Sequence, residues 1–441
     1  MAWPAVPAAG GAQVLAILHQ LERGQWLAPH ALRDLQFAQL SVLLRHAHVT
    51  VPFYKSSWAG AYDPAAPLTA ERFARLPLLS RRELQQHYAQ LRSSQPPAQH
   101  GEPQEGRTSG SSGAPVRFLT TPLAGLFWNA LTLRDHAWHR RDLAGKLAVI
   151  RRETEDSDVA NWGPATAGLI ATGRCVGRSI RADAASHLDW LLAQAPDYLF
   201  TYPSLVAEMA RLSLRRGDRP RGLREVRTLA ESLAPDLRQL VRDAWDVPLT
   251  DLYSASETGY LALQCPEYPH YHVQSENVLL EVLDDAGRPC APGEVGRIVV
   301  TPLHSFAMPL VRYDIGDYAE VGEPCGCGRG LPVLRRIMGR VRNMLVTADG
   351  RRYWPVFGTR AIMDAAPVLQ HQFVQKSVGL VEARLVVAAP LAPEQERAFV
   401  ERVRSQLPAG IELRVVYCER LERGASGKFE DFVSEVSASP Q

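Results

Sequence analysis

Apolar positions between 14 and 44 recur at three- and four-residue intervals, with Leu15, Leu18 and Leu21 followed by Leu32, Leu35 and Leu40. That spacing predicts helix. Another short helix is expected over 81–91, and a polar stretch rich in Pro and Gln leads on to Arg107. Helical spacing returns at 123–141, and 146–151 is a short apolar run of strand type. From Asp197 the pattern alternates: strand at 198–201, helix at 204–215, strand at 226–229, helix at 235–244, strand at 250–253. Short strands alternating with helices predict a mostly parallel sheet in α/β layers. Residues 278–283 and 296–301 read as antiparallel strands around the turn 284–287. The last hundred residues form a separate mixture, with helices near 359–364 and 393–407 and strands at 383–387 and 412–417. The expected fold is therefore α/β, a large N-terminal domain (1–339) with mixed, mostly parallel sheets flanked by helices. A small α+β C-terminal domain (340–441) follows a cut near 340–343.

A chain of 441 residues exceeds one ordinary core, so two or three domains are expected. Hydrophobic residues at 46% and charged residues at 22% are the mix of a soluble globular protein. Forty-nine basic against 47 acidic residues leave +2, which argues against a nucleic-acid partner. No apolar run approaches the roughly 18–20 residues that span a bilayer, so no membrane partner is expected. The first residues lack the basic lead-in of a signal peptide, and six cysteines are spread thinly along the chain. Both point to a reducing compartment, with the cytoplasm as the default.

Four segments carry candidate chemistry, each with a plain structural alternative. Thr108, Ser109, Gly110, Ser111, Ser112 and Gly113 concentrate hydroxyls and glycines, a composition that lets backbone N–H groups turn towards an anion. The alternative is a Ser/Gly linker. Tyr253, Ser256 and Glu257 end a predicted strand, where open α/β sheets gather ligands; the alternative is a polar turn. Arg312 and Asp317 flank a glycine turn suited to ribose hydroxyls, or to a salt-bridged surface loop. Lys428 lies in a glycine-flanked loop, free to reach across a cleft or simply to be solvated.

In this order and at these separations the four segments resemble the adenylate-forming superfamily of acyl-CoA synthetases and ligases. Within it they resemble the phenylacetate–CoA ligase-like branch, which includes proteins of capsule-biosynthesis clusters. The resemblance begins at Val51-Pro-Phe-Tyr54 and runs to Phe429, most of the chain. It implies that a small carboxylic acid, with an aryl acid as the family-based expectation, is activated by ATP and Mg2+ as its acyl-AMP. CoA is the implied acceptor; an amine or a carrier-protein thiol is the alternative, and a non-catalytic nucleotide-binding scaffold a third reading.

By the same resemblance the loop 108–115, with Thr108 to Gly113 as its binding residues, wraps the ATP phosphates, Tyr253 flanks adenine, Ser256 touches the α-phosphate and Glu257 holds magnesium. Glu231 and Ser232 fall where the family lines the nucleotide, Asp317 matches the ribose-binding aspartate, and Arg312 the arginine before it. Lys428 matches the catalytic lysine of a mobile C-terminal domain. Arg342 stands at the hinge, where relatives usually carry Asp. Dimers are common among the relatives, so a homodimer is an open expectation.

Cys265, His272, Cys325 and Cys327 offer a Cys3His set, the composition of a structural rather than a catalytic Zn2+ site. Relatives carry a similar set. His270 competes with His272, the Cys-x-Cys spacing is tight, and buried thiols beside an exposed histidine are the alternative. Phe127, Trp128, His136 and Trp138 are candidate walls for the acid, or plain core at helical spacing.

Overall fold

The computed structural model describes residues 7–108, 115–152, 154–355, 366–421, 423–424 and 428–436, and of Arg342 the backbone alone. The helix expected near 359–364 lies outside the described residues. Two helices, α1 (Ala9–Gly24) and α2 (Pro29–Thr50), replace the one helical stretch expected over 14–44. Proline in the first turn of α2 marks the restart, because a helix leaves its first N–H groups unused anyway. Short helices α3 (Pro52–Ser57), α4 (Ala70–Ala74) and α5 (Arg81–Gln86) follow. Strands β1 (Gln104–Arg107) and β2 (Arg117–Thr120) then lead to α6 (Pro122–Trp138).

The middle of the chain alternates β3 (Leu147–Arg151), β4 (Ser157–Val159), β5 (Cys175–Ser179), α7 (Ala184–Gln194), β6 (Tyr198–Thr201), α8 (Pro203–Arg216), β7 (Glu225–Leu229) and α9 (Leu237–Trp245). A run of strands comes next: β8 (Leu249–Ala255), β9 (Gly259–Gln264), β10 (Tyr271–Val273), β11 (Val278–Leu283), β12 (Val295–Pro302), β13 (Tyr313–Val321) and β14 (Val333–Arg340). The C-terminal part holds β15 (Leu345–Val346), β16 (Arg352–Tyr353), β17 (Val368–Ser377), β18 (Leu380–Val387), α10 (Pro393–Arg404), β19 (Glu412–Tyr417) and β20 (Phe432–Ser434). No described helix is long and apolar enough to cross a membrane.

The chain divides into two compact units. The first comprises Met1–Ala144, Val159–Arg174 and Leu252–Ile337. Its strands run in the order β11-β12-β13-β14-β10-β9, and β8 ends against β9 with Leu252 opposite Leu263. The pairings with resolved register are antiparallel, as expected for 278–283 and 296–301 around the turn 284–287. Its core packs Leu40, Leu44 and Tyr54 against Tyr271, Ile298 and Tyr313. The Tyr54 hydroxyl donates to Pro309 O at 2.8 Å and accepts from Val311 N at 3.0 Å, so the Val51-Pro-Phe-Tyr54 element is a core anchor.

The second unit comprises Gly145–Asp158, Cys175–Asp251 and Met338–Gln441. Here β7-β6-β3-β5-β4 lie side by side, and β3 pairs in parallel with both β5 and β6, as the alternation predicts. Its helices follow local signals. Asp183 caps α7 by accepting from Ser186 N at 2.7 Å, and α8 starts at Pro203 and stops at left-handed Gly217. Residues from Leu345 on carry a further core around Phe373 and Phe399, below a sheet ordered β19-β18-β17-β20.

Candidate active site

In the first unit the β8–β9 turn and β13 come together. Tyr253 OH donates to Asp317 Oδ2 at 2.7 Å, and Tyr313 OH donates to Glu257 Oε1 at 3.5 Å. Tyr253 is buried, Glu257 half-buried and Ser256 exposed at the turn. Gly259 follows with φ +82°, a conformation that favours glycine and lets the chain reverse straight after the carboxylate. The corner therefore presents two carboxylates, two phenols and a hydroxyl, a donor and acceptor set suited to a nucleotide and a hard cation. Tyr313 was not singled out by the sequence, since an aromatic at the start of a buried strand reads as core.

Arg312 takes another place. Its guanidinium is buried, bonded to Glu281 at 3.0 and 3.1 Å and donating to the carbonyls of Ala74 and Leu76 at 2.5 and 2.6 Å. Four of its five N–H donors are thereby used within the protein. In this position Arg312 braces the start of β13.

Thr108 N donates to Val116 O and Thr108 Oγ1 accepts from Val116 N, both at 2.9 Å, continuing the β1–β2 pairing of Arg107 with Arg117. The Ser/Gly segment thus joins two paired strands, which disfavours a linker between domains. Ser109, Gly110, Ser111, Ser112 and Gly113 themselves lie outside the described residues. Of Arg342 only the backbone is described, in the single turn Val341–Asn343.

In the second unit Ala230 adopts φ +70°, an uncommon conformation for a residue with a Cβ, and aims the two residues after it. Glu231, expected beside the nucleotide, has both carboxylate oxygens bonded within this unit. Its Oε2 accepts from Ser204 N at 2.9 Å and its Oε1 from Phe429 N at 2.6 Å, the residue after Lys428. Burial raises its pKa, and Arg423 works against that rise. Ser232 Oγ sits where a Cβ on Gly339 would come within 2.6 Å, and Gly339 holds φ +94°, a backbone conformation that favours glycine. Arg423, Ser204 and Glu208 had no local sequence signal, because their partners lie about 200 residues away in the chain.

The four metal-type residues converge in the first unit, with all ligand atoms within 4.8 Å of one another. Cys265 Sγ lies 3.8 Å from Cys325 Sγ, and Cys327 Sγ 3.3 Å from His272 Nε2. Zinc–sulfur bonds of about 2.3 Å in a tetrahedron put sulfurs roughly 3.7–3.8 Å apart, so the spacing fits zinc. His272 Nδ1 is 3.4 Å from Leu331 O, the outer contact that leaves Nε2 for a metal. The competing His270 instead stacks on Tyr268 at 5.4 Å. Of the candidate acid-pocket residues, Phe127 stacks on His304 at 4.0 Å and Trp128 leans on Tyr260 at 4.7 Å. His136 packs on Trp162, and Trp138 on His272 behind the metal-type cluster.

No protein-family model matches the chain. The phenylacetate-coenzyme A ligase of Thermus thermophilus is 28% identical over 377 residues, covering 81% of each chain. That of Pseudomonas putida is 24% identical over 335 residues, covering 72% of each. Among solved structures, 2-hydroxyisobutyryl-CoA ligase in the postadenylation state superposes with a TM-score of 0.72 over 94% of this chain and 92% of that one. At 17% identity this last likeness establishes the fold. Fold, motif order and both sequence relatives liken the chain to adenylate-forming ligases, and in sequence to phenylacetate-coenzyme A ligases.

Proposed function

We propose that the chain uses ATP to activate a small carboxylic acid as its acyl-AMP, with release of pyrophosphate, and passes the acyl group to CoA as a thioester. The observation that carries this reading is the meeting of Tyr253 and Asp317, 64 residues apart, at 2.7 Å beside Glu257. Both sequence relatives are named for a CoA ligase of phenylacetate, which supports an aryl acid as substrate.

In the first step a carboxylate oxygen of the acid attacks the α-phosphorus. A new P–O bond forms while the bond to the β-phosphate bridge breaks, and pyrophosphate leaves with the electron pair. Asp317 and Tyr253 hold ribose and adenine, Ser256 and residues 108–113 bind phosphate, and Ser232 lines the nucleotide. Lys428 brings an ammonium to the phosphoryl oxygens as negative charge grows there, and such preorganised charge needs no solvent rearrangement. Glu257 would hold Mg2+, which supplies further neutralisation of the phosphates. In the second step the CoA sulfur attacks the acyl carbonyl and AMP departs. Residues 340–441 act as the small C-terminal domain with Arg342 at its hinge, a reading supported by their separate core. Cys265, His272, Cys325 and Cys327 hold a structural Zn2+. Six unpaired thiols favour a reducing, cytoplasmic setting.

The test is acid-dependent pyrophosphate release with ATP, magnesium and a panel of aryl and short aliphatic acids, with and without CoA. Release with one class of acid, and a thioester only when CoA is present, is expected. Release without thioester shifts the acceptor to an amine or carrier protein, and no release from a broad panel overturns the reading.

A further inference from the structure

A compact group of charges surrounds one peptide unit. The C=O of Lys428 accepts from Gly424 N at 3.1 Å, and the N–H that follows it, on Phe429, donates to Glu231 at 2.6 Å. Both ends of the peptide bond next to Lys428 are therefore held, which fixes where its side chain begins. Arg423 completes the arrangement. Its Nη1 donates to Ser204 Oγ at 2.7 Å and lies 3.4 Å from Glu231 Oε1, while Nη2 is 3.2 Å from Glu208 Oε1. Glu208 is held in turn by Gln370 at 2.7 Å, and the Arg423 guanidinium lies 5.8 Å from the Phe429 ring centre. The Glu231 carboxylate also takes an N–H from the first turn of α8, where the helix dipole favours an anion.

Burying such a cluster is a poor way to gain stability, because desolvation offsets most of the attraction. A buried charge set that converges on a single backbone unit instead suits placement. We propose that Arg423, acting with Glu231, is a positioning residue that aims Lys428 at the reacting phosphate during acyl-AMP formation. The proposal rests on the adenylating role given to Lys428 above. Arg423 touches no reacting atom. Without it Glu231 is left as a buried, unpaired carboxylate, and the grip on Phe429 loosens. A displacement of about 1 Å at a catalytic group costs on the order of a hundredfold in rate.

The experiment separates the two half-reactions in Arg423→Ala, Arg423→Lys and Glu231→Gln. Single-turnover acyl-AMP formation should fall roughly 30- to 100-fold in Arg423→Ala. Thioester formation from supplied acyl-AMP and CoA should stay within about twofold, and Arg423→Lys should recover part of the loss. In a Lys428→Ala background, Arg423→Ala should add nothing. Equal loss of both half-reactions, or a further loss on top of Lys428→Ala, would make Arg423 a structural residue and overturn the proposal. Glu231→Gln keeps an oxygen for the Phe429 N–H but not the charge, and gives a second reading if Arg423→Ala fails to fold. Amide exchange of residues 428–436 is measured in parallel on the intact chain. Faster exchange in Arg423→Ala supports the clamp and unchanged protection overturns it, even if the wild type adenylates no acid and the functional reading itself fails.

Discussion

Tyr253 illustrates how much one hydroxyl decides. The bond to Asp317 helps to orient that carboxylate, so that on the proposed reading a ribose would meet an acceptor already in place. Tyr253→Phe removes that bond and keeps the ring. A single such bond is worth about 0.5–1.5 kcal/mol, so the KM for ATP should rise roughly two- to tenfold with the fold intact. An unchanged KM in pyrophosphate release would show that Asp317 is oriented by something else. At this scale residue types were legible and partners were not. Arg312 shares the motif of Asp317 but is bonded to Glu281 and to carbonyls more than 230 residues upstream, which no local pattern announces. Glu231 reads in sequence as a nucleotide-lining residue, and only the return of the chain at Phe429 shows what its carboxylate grips.

At the scale of elements, the metal-type cluster joins the β9–β10 hairpin to the loop at 325–327. A bound zinc would tie these segments together, and its binding energy would count towards folding. Protein grown with zinc should carry one zinc per chain by elemental analysis. Cys327→Ser should lose the metal and lower the thermal midpoint by roughly 5–10 °C. A metal-free wild type with the same midpoint as the variant would dismiss the site. Strands such as β6 and β7 were legible as short apolar runs between turn signals. By contrast β9 and β10 are almost wholly buried and carry no two-residue alternation, while β17 hides buried His371 and Gln375 in a polar-looking run.

That last strand also bears on acid response. The Asp431 carboxyl, amid Glu231, Arg211, Glu208 and Arg423, is raised from 3.8 to about 6, chiefly by desolvation. The folded protein therefore holds its proton more tightly than the unfolded chain, and between these values stability declines as pH rises. His371, buried near Arg211, is lowered from 6.5 to about 3, again chiefly by burial. Its contribution is lost as pH falls through that window. The two oppose each other between about pH 4 and 6. Asp431→Asn should remove one side of the balance, steepening the acid loss of stability by up to about 1.4 kcal/mol per pH unit. Urea midpoints measured across that range decide the matter, and parallel slopes for both proteins would contradict it.

At the scale of the whole molecule, the α/β class and the presence of a C-terminal mixture of strands and helix could be read from periodicity. The division into units could not, because each is assembled from three separate stretches of chain. Hydrophobic pattern reports what a segment buries, not which distant segment covers it. This bears on the anchoring of Tyr54 to Pro309, whose partners stand 255 residues apart. On a ribosome adding about 5–20 residues per second, Tyr54 emerges on the order of ten to fifty seconds before its acceptor. Through that interval Leu40, Leu44 and Tyr54 have no native cover from the strands they finally pack against. Residues 40–54 of every new molecule therefore wait, apolar and uncovered, until the strands that bury them have been made.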